Sequence, residues 1–330
     1  MGRIAITDGL SSNAVDVLRD EGHSVIEEHI SAADLCAGAL SDFDALIVRG
    51  ATKITQAVLE SAAGGNLKVI ARAGVGVDNI DLAAATAAGI LVVNAPGAST
   101  QSVAEMAMGH LLSCVRRLMD ADRSLRRGEW AKKRLQGSEL AGKNLGLFGY
   151  GRIARAVASR ARAFEMVIHA YDPYLPEIEF GEEVIRHEDI ESLFSTCTHI
   201  SIHCNLSQET ERIVGTDLIS LMPIHAPDGV RCGNHIVNCA RGGIVDELAA
   251  LAALESGELD SLALDVFETE PLDSDHPLLR NDGFHGTPHI GASTIEAQSR
   301  IGLETVGMVL GALRGEAPAN LVNRDVLQDA

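Results

Sequence analysis

Positive charge is scarce in this chain of 330 residues, in which 27 lysines and arginines stand against 46 aspartates and glutamates. The net charge of −19 argues against nucleic acid as a partner, because a phosphate backbone needs a basic face that releases its counterions. The acidic excess fits either a salt-adapted host or a GC-rich genome. Long apolar runs are also missing. None approaches the roughly 18 residues of a membrane span, so we predict a soluble globular protein without a membrane partner.

Cysteine pairs are absent too. The six cysteines form no C-x-x-C motif, which argues against a disulfide framework and against a thiolate zinc site. No signal peptide is apparent, so we predict a protein of the reducing cytoplasm. Three histidines, His276, His285 and His289, can be drawn with Asp282 as a metal cluster. Their spacing matches no zinc pattern, and we predict no metal site.

The order of predicted elements indicates an α/β protein with two doubly wound parallel sheets. The chain is longer than a domain with a single hydrophobic core usually is, so we expect two domains. Strands predicted at 3–7, 23–27, 45–49, 67–71 and 90–93, with helices near 11–21 and 55–63, form a first unit. A six-strand unit follows and extends to about residue 290. It opens with a long helix whose start carries a capping-box pattern at Ser102 and Glu105. A helix at about 294–314 returns to the first unit. We therefore predict one domain of residues 1–97 plus 293–330 and a second of 98–292.

A glycine loop identifies the second domain as a dinucleotide-binding unit. Strand, tight turn, helix and strand run from 143 to 171. Gly149 permits the turn, and Gly151 lets a pyrophosphate approach the helix that begins near Arg152. Asp172 then stands where a ribose 2′-hydroxyl is bound, and no arginine follows it directly. The pattern favours NAD over NADP. Alanine at the third glycine position, Ala154, is permitted by the fingerprint.

Charged side chains follow several of the apolar runs. In open parallel sheets, ligands bind beyond the carboxyl ends of the strands, which makes these residues candidates for a site. Arg241, Glu270 and His289 supply a guanidinium, a carboxylate and an imidazole, the groups needed to move a proton beside a carboxylate-bearing carbonyl. Arg49 and Arg72 follow strands of the first domain, and we expect them to face the second domain across a cleft.

A basic segment lies between the first long helix and the glycine loop. Its cations outnumber its single anion, Glu129, and it is either a solvated loop or a patch that attracts a multiply negative substrate. The cations are Arg123, Arg126, Arg127, Lys132, Lys133 and Arg134.

These motifs together resemble the D-isomer-specific 2-hydroxyacid dehydrogenases. Besides the glycine loop, the resemblance rests on segments 48–55, 71–81, 94–100, 130–140, 238–247 and 289–300, and it covers essentially the whole chain. The last segment is most similar to the branch that acts on phosphoglycerate. The family implies a flavodoxin-like substrate-binding domain, which closes as a lid, and a Rossmann NAD-binding domain.

The resemblance also implies roles for individual residues. His289 is expected to take the hydroxyl proton, with Glu270 as its carboxylate partner and Arg241 binding the substrate carboxylate. The remaining substrate contacts are expected at Gly74, Val75 and Gly76 for the carboxylate and at Arg49, Arg72 and a neighbouring subunit's Lys132 and Lys133 for the phosphate. The cofactor contacts are expected at Gly149, Gly151, Arg152, Ile153, Asp172, Cys204, Cys239, Ala240, Asp265 and Gly291. A homodimer built on the nucleotide domain, or a tetramer, follows from the lysines.

The implied activity is NAD-dependent oxidation of D-3-phosphoglycerate to 3-phosphohydroxypyruvate, the entry to serine synthesis. Two alternatives stay open. One is the same chemistry on another anionic 2-hydroxy acid, such as sulfolactate, a malate-like acid, hydroxypyruvate or glyoxylate. The other is a dinucleotide-sensing scaffold like the corepressor relatives of this fold, against which the complete set of Arg241, Glu270 and His289 argues.

Three features depart from the family pattern. Residues 205–207 lack the usual proline-leucine-threonine turn, which is expected to loosen the adenine edge of the pocket. Residues 223–233 form a longer connection than usual, either a simple surface insertion or a species-specific contact. The chain stops soon after its returning helix, so we expect no serine-sensing regulatory domain.

Overall fold

In the computed structural model, which describes residues 1–327, the chain divides into two units. Unit 1 comprises residues 1–99 and the described residues from Ala292 onward, and unit 2 comprises residues 100–291. The sequence places these divisions after residues 97 and 292, and the last three residues of the predicted first domain lie outside the described range.

Unit 1 is built on a five-stranded parallel sheet with the order β2-β1-β3-β4-β5. This is the flavodoxin-like order that the family resemblance implies. Its strands are β1 (Arg3–Ile6), β2 (Ser24–Glu27), β3 (Ala45–Val48), β4 (Val69–Arg72) and β5 (Leu91–Asn94).

The inner strands β1, β3 and β4 of unit 1 are mostly apolar without alternation, because both faces of the sheet are covered there. Ile4 and Ile47 point into one core, whereas Ala5 and Leu46 point into another. The helices that follow the strands are α1 (Ser12–Asp20), α2 (Ala32–Cys36), α3 (Gln56–Ala62) and α4 (Leu82–Ala87).

Unit 2 is built on a seven-stranded parallel sheet with the order β12-β11-β10-β9-β6-β7-β8. Its strands are β6 (Asn144–Phe148), β7 (Val167–Tyr171), β8 (Ile185–Arg186), β9 (His199–Ile202), β10 (His235–Asn238), β11 (Ser261–Leu264) and β12 (Phe284–Gly286). The order is that of a Rossmann fold, with one added strand. The prediction of six strands was wrong, because β8 has only two residues and is too short to produce a recognisable pattern.

The helices of unit 2 cover both faces of this sheet, and a long helix after it belongs to unit 1. They are α5 (Thr100–Arg116), α6 (Leu118–Arg126), α7 (Arg152–Ala163), α8 (Ile190–Thr196), α9 (Thr216–Leu221), α10 (Glu247–Ser256) and, in unit 1, α11 (Ile295–Leu313). Within residues 1–327, no helix combines the length and the apolar character needed to cross a membrane.

The capping box predicted for α5 was wrong. The helix begins at Thr100, so Ser102 is a buried residue of its first turn instead of its N-cap. The helix predicted at about 294–314 is confirmed as α11. Thr294 caps it by accepting a hydrogen bond from the Ala297 N–H at 3.1 Å.

The longer connection at 223–233 folds back on itself. The Ala226 N–H donates to the Val230 carbonyl at 2.9 Å. Asp228 accepts a hydrogen bond from the buried Lys143 ammonium at 2.7 Å. Because Lys143 directly precedes β6, this ion pair fastens the connection to the body of unit 2.

Candidate active site

The glycine loop lies where the strand order of unit 2 reverses, between β6 and β9. Gly149 has a φ of +86°, and a Cβ at this position would lie 2.6 Å from the backbone nitrogen of Cys204. Only glycine therefore allows the chain to turn here against the segment that follows β9. In open α/β sheets, this reversal is where a ligand binds.

The residues of the loop fit a dinucleotide. Gly151 is the N-cap of α7 and contributes no capping side chain, and a Cβ built on it would meet open space. The first N–H groups of α7, from Arg152 and Ile153 onward, are thus placed to bind a pyrophosphate. Asp172 is oriented by the Tyr150 N–H at 2.9 Å and the Tyr174 N–H at 3.1 Å.

Three predicted cofactor residues line the ends of β9 and β10. Cys204 is partly buried, and its burial raises the pKa of its thiol to about 12. Cys239 is buried, and its pKa is also raised by burial. Ala240 donates its N–H to the Asn238 side chain at 2.9 Å. Both thiols stay protonated at neutral pH, so they contribute packing and polarity to this edge instead of negative charge.

The turn at residues 205–207 is braced locally. Thr210 donates its hydroxyl to the Asn205 carbonyl at 2.7 Å and accepts from the Ser207 N–H at 2.8 Å. A side-chain hydroxyl thus supplies the hydrogen bonds that fix this turn.

His289 and Glu270 form a hydrogen-bonded pair in unit 2. The Nδ1 atom of His289 lies 2.8 Å from Oε2 of Glu270, while Oε1 accepts from the Phe267 N–H at 3.1 Å. Burial raises the pKa of Glu270. The hydrogen bond from His289 and the positive charge of Arg241 act in the opposite direction and outweigh burial, so the pKa is lowered overall. The carboxylate therefore stays ionised and fixes the imidazole through Nδ1. The other ring nitrogen, Nε2, has no hydrogen-bond partner within residues 1–327 and belongs to a side chain that is 48% exposed.

Arg241 lies in a short turn after β10. Its carbonyl accepts from the Asn238 side-chain amide at 2.8 Å, and its Nη1 donates to the Ala240 carbonyl at 2.7 Å. Its guanidinium is near enough to Glu270 to lower the pKa of that carboxyl. The structure thus brings all three predicted catalytic residues to one edge of the unit 2 sheet.

Asp265 holds the turn that carries His289. It is 1% exposed, and its two carboxylate oxygens accept from the Ile290 N–H at 2.8 Å and the Gly291 N–H at 2.7 Å. Its carbonyl accepts from the His289 N–H at 2.8 Å. These bonds offset the cost of about 1–2 kcal/mol for the left-handed φ of +52° at His289. The sequence assigned Asp265 to the cofactor alone. Its position directly after β11 was a signal of function, but it carried no information about this turn.

A second network supports the loop that carries Glu270, and the sequence did not predict it. The Glu268 N–H donates to the buried Glu247 carboxylate at 2.7 Å, and the Glu247 N–H donates back to Glu268 at 3.2 Å. His276 lies 3.2 Å from Glu247, and Arg212 pairs with Glu268. The reciprocal bonds tie the start of α10 to the segment that precedes Glu270.

Unit 1 presents arginines at the carboxyl ends of β3 and β4. The Arg49 N–H donates to Asp8 at 2.7 Å, and Arg72 donates to the Ala73 carbonyl at 3.1 Å. Gly74 has a φ of +148°, a conformation that favours glycine, and a Cβ there would lie 1.5 Å from the Arg72 guanidinium, which would have to move. Val75 and Gly76 follow in the same partly buried loop.

Lys132 and Lys133 lie elsewhere in unit 2. They are exposed in a short 3-10 turn and line a surface pocket of about 730 Å³ that Arg241, Glu270 and His289 do not line. Most arginines of the basic segment are neutralised locally, by the pairs Arg126–Asp122, Arg127–Glu129, Arg134–Asp120 and Arg134–Glu129. Of the two alternatives that the sequence left open for this segment, these pairs favour the solvated loop over a patch that attracts anions.

No group of three or more histidine, cysteine, aspartate or glutamate side chains in residues 1–327 is arranged to hold a metal ion. The three histidines considered as metal ligands in the sequence each contact a different partner. His276 pairs with Glu247, His285 contacts Cys114 at 3.6 Å, and His289 pairs with Glu270.

The family model for the NAD-binding domain of D-isomer specific 2-hydroxyacid dehydrogenases matches residues 108–291. This span includes the glycine loop and the residues Arg241, Glu270 and His289. The chain belongs to the D-isomer specific 2-hydroxyacid dehydrogenase family, and the predictions of a Rossmann domain and of NAD as the cofactor are confirmed.

Individual relatives extend the similarity over nearly the whole chain. The chain is 45% identical over 324 residues to a D-3-phosphoglycerate dehydrogenase of Methanocaldococcus jannaschii, of which it spans 60%. It is 44% identical over 314 residues to a hydroxypyruvate reductase of Thermotoga maritima, of which it spans 98%. Among solved structures, a glyoxylate reductase from Paecilomyes thermophila superimposes with a TM-score of 0.86 at 28% identity, covering 98% of each chain.

Proposed function

We propose that this protein oxidises D-3-phosphoglycerate to 3-phosphohydroxypyruvate with NAD and also catalyses the reverse reduction. The observation that carries the proposal is the pair formed by His289 and Glu270, whose atoms lie 2.8 Å apart beside Arg241. The similarity to the phosphoglycerate dehydrogenase of M. jannaschii supports this choice of substrate, although the chain spans only 60% of that relative.

In this proposal, each side chain of the site has a defined role. The glycine loop and the first N–H groups of α7 would hold NAD, which would supply the acceptor for the hydride that leaves C2 of the substrate. Nε2 of His289 takes the proton of the 2-hydroxyl group as the C2–H bond breaks, and the Glu270 carboxylate stabilises the imidazolium that forms. Arg241 binds the substrate carboxylate with two parallel hydrogen bonds and polarises the developing carbonyl.

The arginines of unit 1 supply the specificity for a phosphorylated substrate. Arg49 and Arg72 carry permanent positive charge, and a guanidinium binds phosphate oxygens in a fork. We assign the phosphate to them, and the substrate carboxylate also to the N–H groups of the loop at 74–76. Lys132 and Lys133 of a neighbouring subunit complete the phosphate site in a cytoplasmic homodimer or tetramer.

A second candidate is the reduction of hydroxypyruvate or glyoxylate. It is favoured by the T. maritima hydroxypyruvate reductase, nearly all of whose length the chain spans. The two candidates share the same His289–Glu270–Arg241 chemistry. They differ only in whether the substrate carries a phosphate group that Arg49 and Arg72 bind, which neither hydroxypyruvate nor glyoxylate does.

A panel of 2-oxo acids separates the candidates. NADH consumption is followed with phosphohydroxypyruvate, sulfopyruvate, oxaloacetate, hydroxypyruvate, pyruvate and glyoxylate, and each is repeated with NADPH. We expect phosphohydroxypyruvate to have the highest kcat/KM by at least about tenfold, equivalent to about 1.4 kcal/mol, and NADH to be preferred. A higher kcat/KM for hydroxypyruvate would assign the second function. No turnover with any acid would favour a cofactor-sensing scaffold.

A further inference from the structure

A chain of buried hydrogen bonds leads from the His289 turn into α5. Besides the two N–H groups of that turn, Asp265 accepts a hydrogen bond from the Thr287 hydroxyl at 2.5 Å. The same hydroxyl oxygen lies 3.1 Å from Nε2 of His110, which is 5% exposed in the interior of α5. His110 is thus two hydrogen bonds from the carboxylate that holds the His289 turn.

The direction of these bonds follows from the number of protons available. The Thr287 hydroxyl has one hydrogen, and a carboxylate such as Asp265 can only accept. That hydrogen therefore lies toward Asp265, and the hydroxyl oxygen accepts from His110. Nε2 of His110 must therefore carry a proton, which fixes the tautomer of the neutral ring. Burial lowers the pKa of His110 and so favours that neutral form.

The surroundings of His110 keep its ring in place. The rings of His110 and His285 have centroids 5.6 Å apart, and Cys114, one helical turn after His110, lies 3.6 Å from Nε2 of His285. His110 and Cys114 share one face of α5 because they are four residues apart. This face packs against β12 and against Thr287, the residue that follows β12.

We propose that His110 is a positioning residue: by donating to Thr287, it fixes the hydroxyl that holds Asp265, and through Asp265 it holds His289 in its left-handed turn. The proposal rests on the proposed function, in which His289 transfers the proton. It goes beyond that function because His110 touches none of Arg241, Glu270 or His289 and acts on the rate through the geometry of the turn.

Variants at both ends of the hydrogen bond test the proposal. His110→Phe retains a ring but loses the donor, and Thr287→Val retains the shape but loses the hydroxyl. For each we expect kcat to fall by about tenfold, because a displacement below 1 Å at a reacting group is costly, while KM and the Kd for NADH change by less than about threefold. His110→Gln, which can donate from Nε2, and Thr287→Ser are expected to restore kcat. The double variant His110→Phe/Thr287→Val should lose no more than either single variant, since both break one link.

Two readouts separate positioning from a general loss of stability. His235→Phe is the matched control: His235 is also 5% exposed, and it bonds Ser261 and Cys232 at the amino ends of the strands, away from the His289 turn. It should lower the unfolding midpoint without changing kcat. Amide hydrogen exchange of Ile290 and Gly291 should accelerate in His110→Phe and Thr287→Val, but not in His235→Phe.

An unchanged kcat and unchanged exchange in His110→Phe would overturn the proposal. So would losses of kcat that track the unfolding midpoint and that His110→Gln does not reverse, because His110 would then act only on stability. If the wild-type protein reduces none of the acids in the panel, the proposed function fails. The exchange of Ile290 and Gly291 still decides whether His110 holds the turn.

Discussion

The two units bury different kinds of polar side chain, although both are parallel sheets covered by helices. Among residues 1–327, the buried polar residues of unit 1 are threonine, serine and asparagine: Thr7, Thr52, Ser99, Thr305 and Asn323. Among the same residues, every buried histidine, lysine and carboxylate side chain lies in unit 2, namely His110, Asp120, Lys143, His169, His199, His235, Glu247 and Asp265. A buried ionisable group is costly unless it is bonded, so its presence indicates a structural or chemical demand.

The carboxyl edges of the two sheets differ in the same way. The candidate residues of unit 1, Arg49 and Arg72, carry a charge that does not change near neutral pH. In unit 2, Glu270 has a lowered pKa and is bonded to an imidazole, so this edge is suited to gaining and losing a proton. Unit 1 is therefore expected to determine which anion binds, and unit 2 to determine whether it reacts.

The largest expected effect comes from removing the imidazole of unit 2. His289→Ala should reduce kcat by about 10³-fold or more, as expected for a general acid–base residue with no substitute nearby. The Kd for NADH, measured by fluorescence titration, should stay within about threefold of wild type, because the pyrophosphate site at α7 is left intact.

A loss of NADH affinity as large as the loss of kcat would contradict a role of His289 in proton transfer alone. His289 would then be a structural residue of the cofactor site. His23→Ala in unit 1 is the control for the loss of a histidine as such, and we expect it to change neither quantity.

An intermediate effect is expected at the edge of unit 1. Arg72→Ala should raise KM for phosphohydroxypyruvate by about 10- to 100-fold, the equivalent of one charge-assisted hydrogen bond of about 1.5–3 kcal/mol, with little change in kcat. Glyoxylate, which has no phosphate, should be affected much less. Steady-state kinetics with both substrates provides the measurement. An equal loss on glyoxylate would mean that Arg72 does not read the phosphate, and a loss in kcat alone would place it with the chemistry of unit 2.

The sequence predicted most strands and helices well, because local patterns of residues determine them. The strands of unit 1 and the helix α11 follow from local patterns of apolar residues, which act within a few positions. The start of α5 was wrong because Ser102 fits a cap by pattern, yet packing buries it inside the helix. β8 was missed because two residues cannot produce a periodic pattern.

The candidate site was predicted as a set of residues, but its supporting contacts were not. Arg241, Glu270 and His289 each follow an apolar run, and such positions converge at one edge of a parallel sheet. The bonds from Asp265 to the His289 turn, and those between Glu247 and Glu268, join residues about 20 or more positions apart. No local pattern specifies which distant N–H group a carboxylate accepts from, so these contacts require the structure.

The smallest expected effect concerns stability in acid. It tests whether a buried histidine of unit 2 makes the stability of the protein depend on pH. Burial lowers the pKa of His169 in unit 2 from 6.5 to about 4. Between these values, the unfolded chain binds a proton that the folded chain does not, so the stability due to this group is present above pH 6.5 and is lost as the pH falls toward 4. We expect about 2 kcal/mol of unfolding free energy to be lost between pH 7 and pH 5 through His169.

Urea denaturation followed by circular dichroism should show this pH dependence reduced by that amount in His169→Gln, which keeps a polar partner for His187 but does not titrate. His29→Gln, at an exposed position of unit 1, should leave it unchanged. If both variants retain the wild-type pH dependence, the acid sensitivity does not arise from His169, and the buried histidine of β7 is not a pH-dependent element of unit 2.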